Sequence, residues 1–507
     1  MPSRAWLVLL LAAPWLACSV DEPTPSTQLI TDVRLVDGTG AAARPVAVRI
    51  GGDRIVEVGD LRPATGEEVV DGGGLVLAPG FIDTHSHHDE GLLEAREALA
   101  AVSQGITTII VGQDGGSHLP LANFFASLEA KPPAINLASY AGHNTIRAEV
   151  MGEDFERLAT DEEILAMRRL LRQELSAGAL GLATGLEYDP GIYSSYEEVL
   201  ALAQEAAAAG GRYISHLRSE DRYLWQAVEE ILRIGREAEI PVQISHMKLA
   251  MVGLWGQAGG LLERLEQARA NGIEVSADVY PYPYWQSTLT VLYPERDFDS
   301  RETTELILRE IAPAEGLLLG RFDPEPSYVG QTVAEIATQR GTDEATTLMA
   351  LIAESQTLAQ ATGESTESVI GTSMDDDDVA RLLAWRHANV STDGELAGRH
   401  PRGFGAFPRV LGRYARDRGD LSLEEAIRKM TSLAAEHMGL ADRGVIRPGA
   451  FADLVLLDPE RVIDRATPSE PQQTALGIER VWVAGETVYV GGAPSGATPG
   501  RVLRRSP

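Results

Sequence analysis

Pro79-Gly-Phe-Ile-Asp-Thr-His-Ser-His-His-Asp89 opens as an apolar strand and ends in a group of three imidazoles. Side chains alternate along a strand, so His85 and His87 point to one side and His88 to the other. Two side chains on the same side sit about 7 Å apart, close enough to share one divalent ion. In a parallel barrel that ion would lie at the C-terminal end of the strand, where such folds build their sites. Asp83 or Asp89 could hold an imidazole tautomer from behind.

Outward from this stretch, short apolar strands alternate with helices. Strand-like runs are Thr107 to Val111, Ala134 to Ala138, Leu180 to Thr184, Arg212 to Ser215, Val242 to Ser245 and Glu274 to Ala277. Helical patterns lie between them, as in Tyr196 to Ala209 and Leu224 to Ala238. Repeated strand–helix units predict a parallel sheet, either closed as a (β/α)8 barrel or open and doubly wound. No glycine-rich dinucleotide fingerprint follows the first strand, which disfavours the open nucleotide-binding form. The pattern turns irregular and more helical over about 297–371, which we read as a subdomain inserted over the barrel mouth.

Both chain ends have another texture. Ala47-Val-Arg-Ile50, Gly51-Gly-Asp53 and Arg54-Ile-Val-Glu-Val58 read as a hairpin. Ala452 to Leu457, Ile478 to Val483 and Glu486 to Val490 repeat that texture. The expectation is one β-sandwich built from 28–78 and 441–495, flanking a catalytic unit at 79–440.

Further chemistry lies at strand ends. Tyr213-Ile-Ser-His216 and Gln243-Ile-Ser-His246 each finish a short strand with Ser-His, and Asn389-Val-Ser-Thr-Asp393 ends a late one with an acid. A lone histidine in such a place is usually structural. Two of them beside His85, His87 and Asp393 suit one or two zinc ions with a water between them. His118, His387 and His437 fit no strand tip and are read as structural.

This set resembles the amidohydrolase superfamily and, within it, the D-aminoacylase (N-acyl-D-amino-acid deacylase) family. Gly142-His-Asn-Thr-Ile-Arg147, Leu186-Glu-Tyr-Asp-Pro-Gly-Ile-Tyr193, Ser215-His-Leu-Arg-Ser-Glu220, Ile244-Ser-His-Met-Lys248, Asp278-Val-Tyr-Pro-Tyr282, His400-Pro-Arg402 and Phe451-Ala-Asp-Leu454 carry the likeness. The resemblance implies a zinc-bearing (β/α)8 barrel with a sandwich from both chain ends. It implies metal-assisted cleavage of a small N-acyl amino acid. Asp393 would bind the metal and shuttle the proton, and Lys248, Tyr280 and Arg402 would receive the substrate carboxylate. Ser287 and Arg218 are weaker candidates, the latter able to pair with Glu220. His143 either polarises the amide carbonyl or is structural. One departure stands out: Asp114 occupies the place where the family carries a cysteine metal ligand. A two-metal site then needs another bridging anion. Glu187 leads, because a longer carboxylate reaches between two metals more easily, and Asp114 follows. The simpler alternative is one zinc held by histidines, with both acids behind it. A dipeptidase or cyclic-amide hydrolase would use the same chemistry. A surface binding protein with a dead site fits less well, because unpaired buried imidazoles are costly.

The formal net charge of the 507 residues is −30. A surface this acidic repels nucleic acid and anionic lipid headgroups. The run Asp375 to Asp378 reads as a solvated loop or a helix start. Met1-Pro-Ser-Arg4 and the apolar stretch Ala5 to Ala13 read as a secretory leader, too short to span a bilayer. The leader at 1–18 ends at Cys18, the single cysteine, in a context resembling a bacterial lipoprotein processing site. Export to the envelope or periplasm, with lipid attachment at Cys18 and a tether over 19–27, is expected. One cysteine allows no internal disulfide.

Overall fold

The computed structural model describes residues 27–505, together with Met1. The expected leader, tether and Cys18 lie outside the described residues. No helix among them is long and apolar enough to cross a membrane.

Eight parallel strands form the barrel: Phe81–Asp83, Ile106–Val111, Asn136–Ser139, Gly181–Gly185, Arg212–His216, Val242–Ile244, Val275–Val279 and Ala388–Val390. They pair in sequence order as two arcs, strands one to three and strands four to eight. Leu180 N–H donates to the Ser139 carbonyl at 2.9 Å and joins the arcs on one side. Asp393 N–H to the His85 carbonyl and His87 N–H to the Gly394 carbonyl, both 2.9 Å, close the ring between the last strand and the first. Closure therefore runs through the metal-candidate residues themselves. Helices Tyr196–Ala208, Leu224–Glu237 and Ala258–Ala270 follow strands four, five and six. Leu224–Glu237 buries Ala227, Val228, Ile231, Leu232 and Ile234 at helical spacing against the core.

The chain ends make one hydrogen-bonded sheet of nine strands. Val76–Pro79 pairs antiparallel with Leu454–Leu457, which joins the N-terminal and C-terminal halves. Leu77, Leu454, Leu456 and Trp482 share a core with Ile30, Val48 and Ile50. Their neighbours Val76, Ala78, Val455 and Leu457 face the barrel core. This two-sided burial explains the unbroken apolar run from Leu454 to Leu457. The sheet also meets itself. Gly485 stands where a Cβ would lie 2.1 Å from the Gly52 carbonyl, and its φ is +81°. Two hairpins far apart in the strand order therefore touch, making a sandwich, and only glycine fits there.

Two boundaries differ from expectation. The inserted subdomain begins at Tyr284, not near Asp297. Tyr284–Ser287 pairs with Glu367–Thr372, which also pairs with Leu317–Phe322. The insertion is thus a three-stranded antiparallel sheet with helices and its own apolar core, including Trp285, Leu289, Phe322 and Leu351. The sequence hid its first strand because Tyr284–Ser287 follows the seventh barrel strand almost directly. The chain also continues usefully past residue 495. Leu503 N–H donates to the Leu137 carbonyl at 2.7 Å and Arg505 N–H to the Gly178 carbonyl at 3.0 Å, laying the last residues along the barrel. The acidic run is a helix start: Asp375 Oδ1 accepts from the N–H groups of Asp377 and Asp378.

Asp453 ties sandwich to barrel. It is 7% exposed, pairs with Arg443, and accepts from Asn136 Nδ2 at 3.2 Å and Ala484 N–H at 2.8 Å. Asp453→Ala strands the buried Arg443 charge. It should cost roughly 3–5 kcal/mol of stability, read as a lower urea midpoint.

Candidate metal centre

His85 and His87 follow the first strand, and His216 is the last residue of the fifth. His246 lies two residues beyond the sixth strand and Asp393 three beyond the eighth. Asp114 follows the second. Three of these residues have left-handed backbone: Asp114 at φ 51°, His246 at φ 32° and Asp393 at φ 48°. Such conformations cost energy in non-glycine residues and persist where the surroundings enforce them. At Asp114 the enforcement is visible. A Cβ on Gly185 would lie 2.1 Å from the Asp114 carbonyl, so the loop rests directly on the fourth strand.

The strained loops aim their side chains at one point. Asp114 Oδ2 lies 3.4 Å from His85 Nε2 and 3.3 Å from His87 Nε2. Asp393 Oδ1 faces the same two nitrogens at 3.5 and 3.3 Å. Asp114 Oδ1 turns the other way, 3.2 Å from His246 Nε2 and 3.9 Å from His216 Nδ1. Two ligand groups therefore share one carboxylate: His85, His87, Asp114 and Asp393, and Asp114, His216 and His246.

The donor set suits metal. Both ring nitrogens of the fully buried His85 lack a hydrogen-bond partner. Burial would lower the His85 pKa, but Asp114, Asp278 and Asp393 push it up to about 10. Carboxylates crowd that ring enough to demand a cation, and a divalent ion answers the demand without spending the lone pair on a proton. Outer groups meet the far nitrogens of the rings. His216 Nε2 lies 2.9 Å from Glu187 Oε2, on the ring edge opposite the Nδ1 that faces Asp114. His246 Nδ1 meets Glu220 Oε1 at 3.0 Å and Lys248 Nζ at 2.7 Å, while Nε2 faces Asp114 Oδ1 at 3.2 Å. Asp278 Oδ1 lies 3.6 Å from His85 Nδ1 and accepts from His246 N–H at 2.8 Å.

Glu187, expected first as the bridging anion, falls in a third candidate ligand group with His216 and Glu220. Its Oε2 lies 2.9 Å from His216 Nε2, whereas Asp114, the second candidate, is the carboxylate common to the groups that hold His85 and His87 and His216 and His246. A carboxylate has two oxygens and needs no length to serve two ions on opposite sides. Reach follows from the length of a side chain, whereas direction is set by the fold. Glu220 and Asp278 were not singled out as positioning residues. The available signal for Asp278 was an acid inside a buried apolar strand, between Ala277 and Val279.

The comparisons fit this geometry. An amidohydrolase family model matches residues 68–279 and 318–489. The chain belongs to the amidohydrolase family. It is 37% identical to a D-aminoacylase of Alcaligenes xylosoxydans xylosoxydans, covering 96% of this chain and 99% of the relative. An N-acyl-D-glutamate deacylase of the same organism is 36% identical, over 93% and 95% of the two chains. The crystal structure of N-acyl-D-glutamate deacylase from Bordetella bronchiseptica, complexed with zinc and a phosphonate mimic of the tetrahedral intermediate, superposes with a TM-score of 0.85. It is 34% identical, with 95% of this chain and 100% of that one covered.

This amidohydrolase opens its metal centre into a cavity of about 720 Å³. Lys248, Tyr280 and Arg402 all line it. The Arg402 guanidinium lies 4.8 Å from the Tyr280 ring centre, and Lys248 Nζ 5.8 Å from it. Tyr280 Oη has no partner, and burial raises its pKa to about 12, so it stays a donor. Ser287 lines the same cavity. Arg218 does not. It pairs with Glu230 at 2.8 Å, in place of the expected Glu220, whose partner is Lys248 at 2.6 Å. His143 as carbonyl polariser is also corrected. It is fully buried outside the cavity lining, with Nε2 2.8 Å from Glu198, which also pairs with Arg147. His143 starts a helix, and its ring is committed to that internal pair.

Asp114→Ala should remove the ligand common to both groups and drop bound metal below one ion per chain, measured by elemental analysis. Glu187→Gln should keep both ligand groups that Asp114 shares and weaken metal affinity roughly 10- to 100-fold.

Proposed function

We propose that this protein is a zinc-dependent hydrolase of N-acyl-D-amino acids. One observation carries the reading: the carboxylate shared by two histidine pairs sits in the same cavity as Lys248, Tyr280 and Arg402. A metal ligand set and a cationic carboxylate receptor thus face one substrate. The printed activities of the relatives, a D-aminoacylase and an N-acyl-D-glutamate deacylase, support the D-configuration and the N-acyl bond. Zinc is favoured by the imidazole-rich donors and by its presence in the Bordetella bronchiseptica structure.

Zinc, when bound, supplies a Lewis acid that polarises the amide carbonyl and acidifies a water. The protein groups do the rest. Burial would raise the Asp393 carboxyl, but Arg402, His246 and His85 outweigh it and hold the group far below the usual range. Asp393 therefore enters as a carboxylate, with Oδ2 on Arg402 Nη1 at 2.5 Å and Oδ1 toward His85 and His87. Oδ1 takes the proton from water and passes it to the departing nitrogen. Arg402 and Lys248 attract the substrate α-carboxylate, and the unsatisfied Tyr280 hydroxyl donates to it. Burial opposes charge on Lys248, yet Glu220 keeps it an ammonium.

The test is hydrolysis of matched N-acetyl-D- and N-acetyl-L-amino acids by zinc-loaded enzyme. Turnover of the D-isomers alone is expected, and equal turnover of both would overturn the D-assignment. Asp393→Ala should lower kcat by about 10²- to 10⁴-fold, with a smaller change in KM. The leader supports an exported, lipid-anchored form as part of the same proposal. Cys18→Ser should then move the protein from the membrane fraction to the soluble one.

A further inference from the structure

The far wall of the substrate cavity comes from the inserted subdomain. Trp285, Val291, Leu292 and Ile311 give it an apolar surface. Glu367 interrupts that surface. It stands at the start of the central strand of the insertion, paired opposite Phe322, and is 5% exposed. Oε1 accepts from the Leu289 N–H at 2.8 Å, while Oε2 has no partner. A buried carboxylate with one unsatisfied oxygen is costly unless something binds it. Burial pushes this carboxyl up to about 7, and the Leu289 N–H is the one group pulling it back.

The cations that line the rest of the cavity pair with carboxylates other than Glu367. Lys248 is held by Glu220 and Arg402 by Asp393. Arg321, on the strand next to Glu367, is turned to Asp323 through Nε at 2.9 Å and Nη2 at 2.5 Å. Every lysine and arginine among the described lining residues thus has a carboxylate partner, whereas Glu367 has no cation. An acidic substrate side chain would meet this carboxyl with nothing to neutralise it. A side chain with an aliphatic stem and a cationic head matches both parts of the wall.

Taking the deacylase reading as given, we infer that Glu367 selects N-acyl-D-amino acids with a basic side chain. The apolar wall takes the methylene stem, and the carboxylate attracts the ammonium or guanidinium. This selectivity is opposite to that named for the N-acyl-D-glutamate deacylase relative.

The experiment measures kcat/KM for N-acetyl-D-lysine, N-acetyl-D-leucine and N-acetyl-D-glutamate with zinc-loaded wild type and Glu367→Gln. Wild type should prefer D-lysine to D-glutamate. Its D-lysine to D-leucine ratio should rise between about pH 6 and about pH 8, as the carboxyl ionises. Glu367→Gln keeps the acceptor for Leu289 and removes the charge. It should lower the D-lysine value roughly 10- to 100-fold, mostly through KM, and leave D-leucine within about threefold. An equal fall for D-lysine and D-leucine would mean that Glu367 only braces the Leu289 turn. Preference for D-glutamate in wild type, or a pH-independent ratio, also overturns the selection. These outcomes leave the deacylase reading standing. No turnover of any N-acetyl-D-amino acid sinks that reading and this one together.

Discussion

The mouth of the barrel gathers more buried ligand groups than water-free protein can hold without a compensating ion. Asp114 is where that constraint concentrates, because its two oxygens face two different pairs of imidazoles. Remove the positive charge expected between them and the carboxylates must be balanced by protonated histidines, as the raised His85 pKa records. The left-handed turns at Asp114, His246 and Asp393 serve the same end. Each spends backbone strain to aim one donor.

Barrel closure and metal binding are coupled by construction. The backbone hydrogen bonds that join the eighth strand to the first run from the Asp393 N–H to the His85 carbonyl and from the His87 N–H to the Gly394 carbonyl. Thr392 reinforces the seam by donating from its N–H and hydroxyl to the buried Asp83 carboxyl, at 2.9 and 2.5 Å. The candidate ligands His85, His87 and Asp393 thus lie on the seam itself. Behind it, Glu187, Glu220 and Asp278 set imidazole orientation, so the acidity of the site is spent on positioning as much as on ligation.

The inserted subdomain divides labour with the barrel. Barrel loops supply the candidate metal ligands and, in the proposed reading, the groups for the carboxylate common to N-acyl amino acids. The insertion supplies the wall that meets the variable part, and it packs on a core of its own. Substitutions in that wall can alter side-chain preference without disturbing the strained ligand loops.

Much of this was legible in the order of residues. The His85–His87 pair, the Ser-His strand tips at His216 and His246, and the acid at Asp393 declared a metal barrel because strand alternation and strand ends are local properties. The sandwich hairpins were legible for the same reason. Direction between distant loops was not. Glu187 and Asp114 look alike as carboxylates after strands, and only the folded ring places one against His216 and the other between both histidine pairs. His143 and Arg218 sit in stretches that resemble site motifs, yet their partners Glu198 and Glu230 lie on other helical turns that packing brings near. The insertion's first strand, Tyr284–Ser287, acquires its identity from pairing with Glu367–Thr372, far along the chain. Sequence alone determined which chemical groups this protein owns and which strand tips carry them. Tertiary structure decided which carboxylate is shared, which histidine is idle and which acid lines the cavity, because those depend on directions that only folding of the barrel and its insertion fixes.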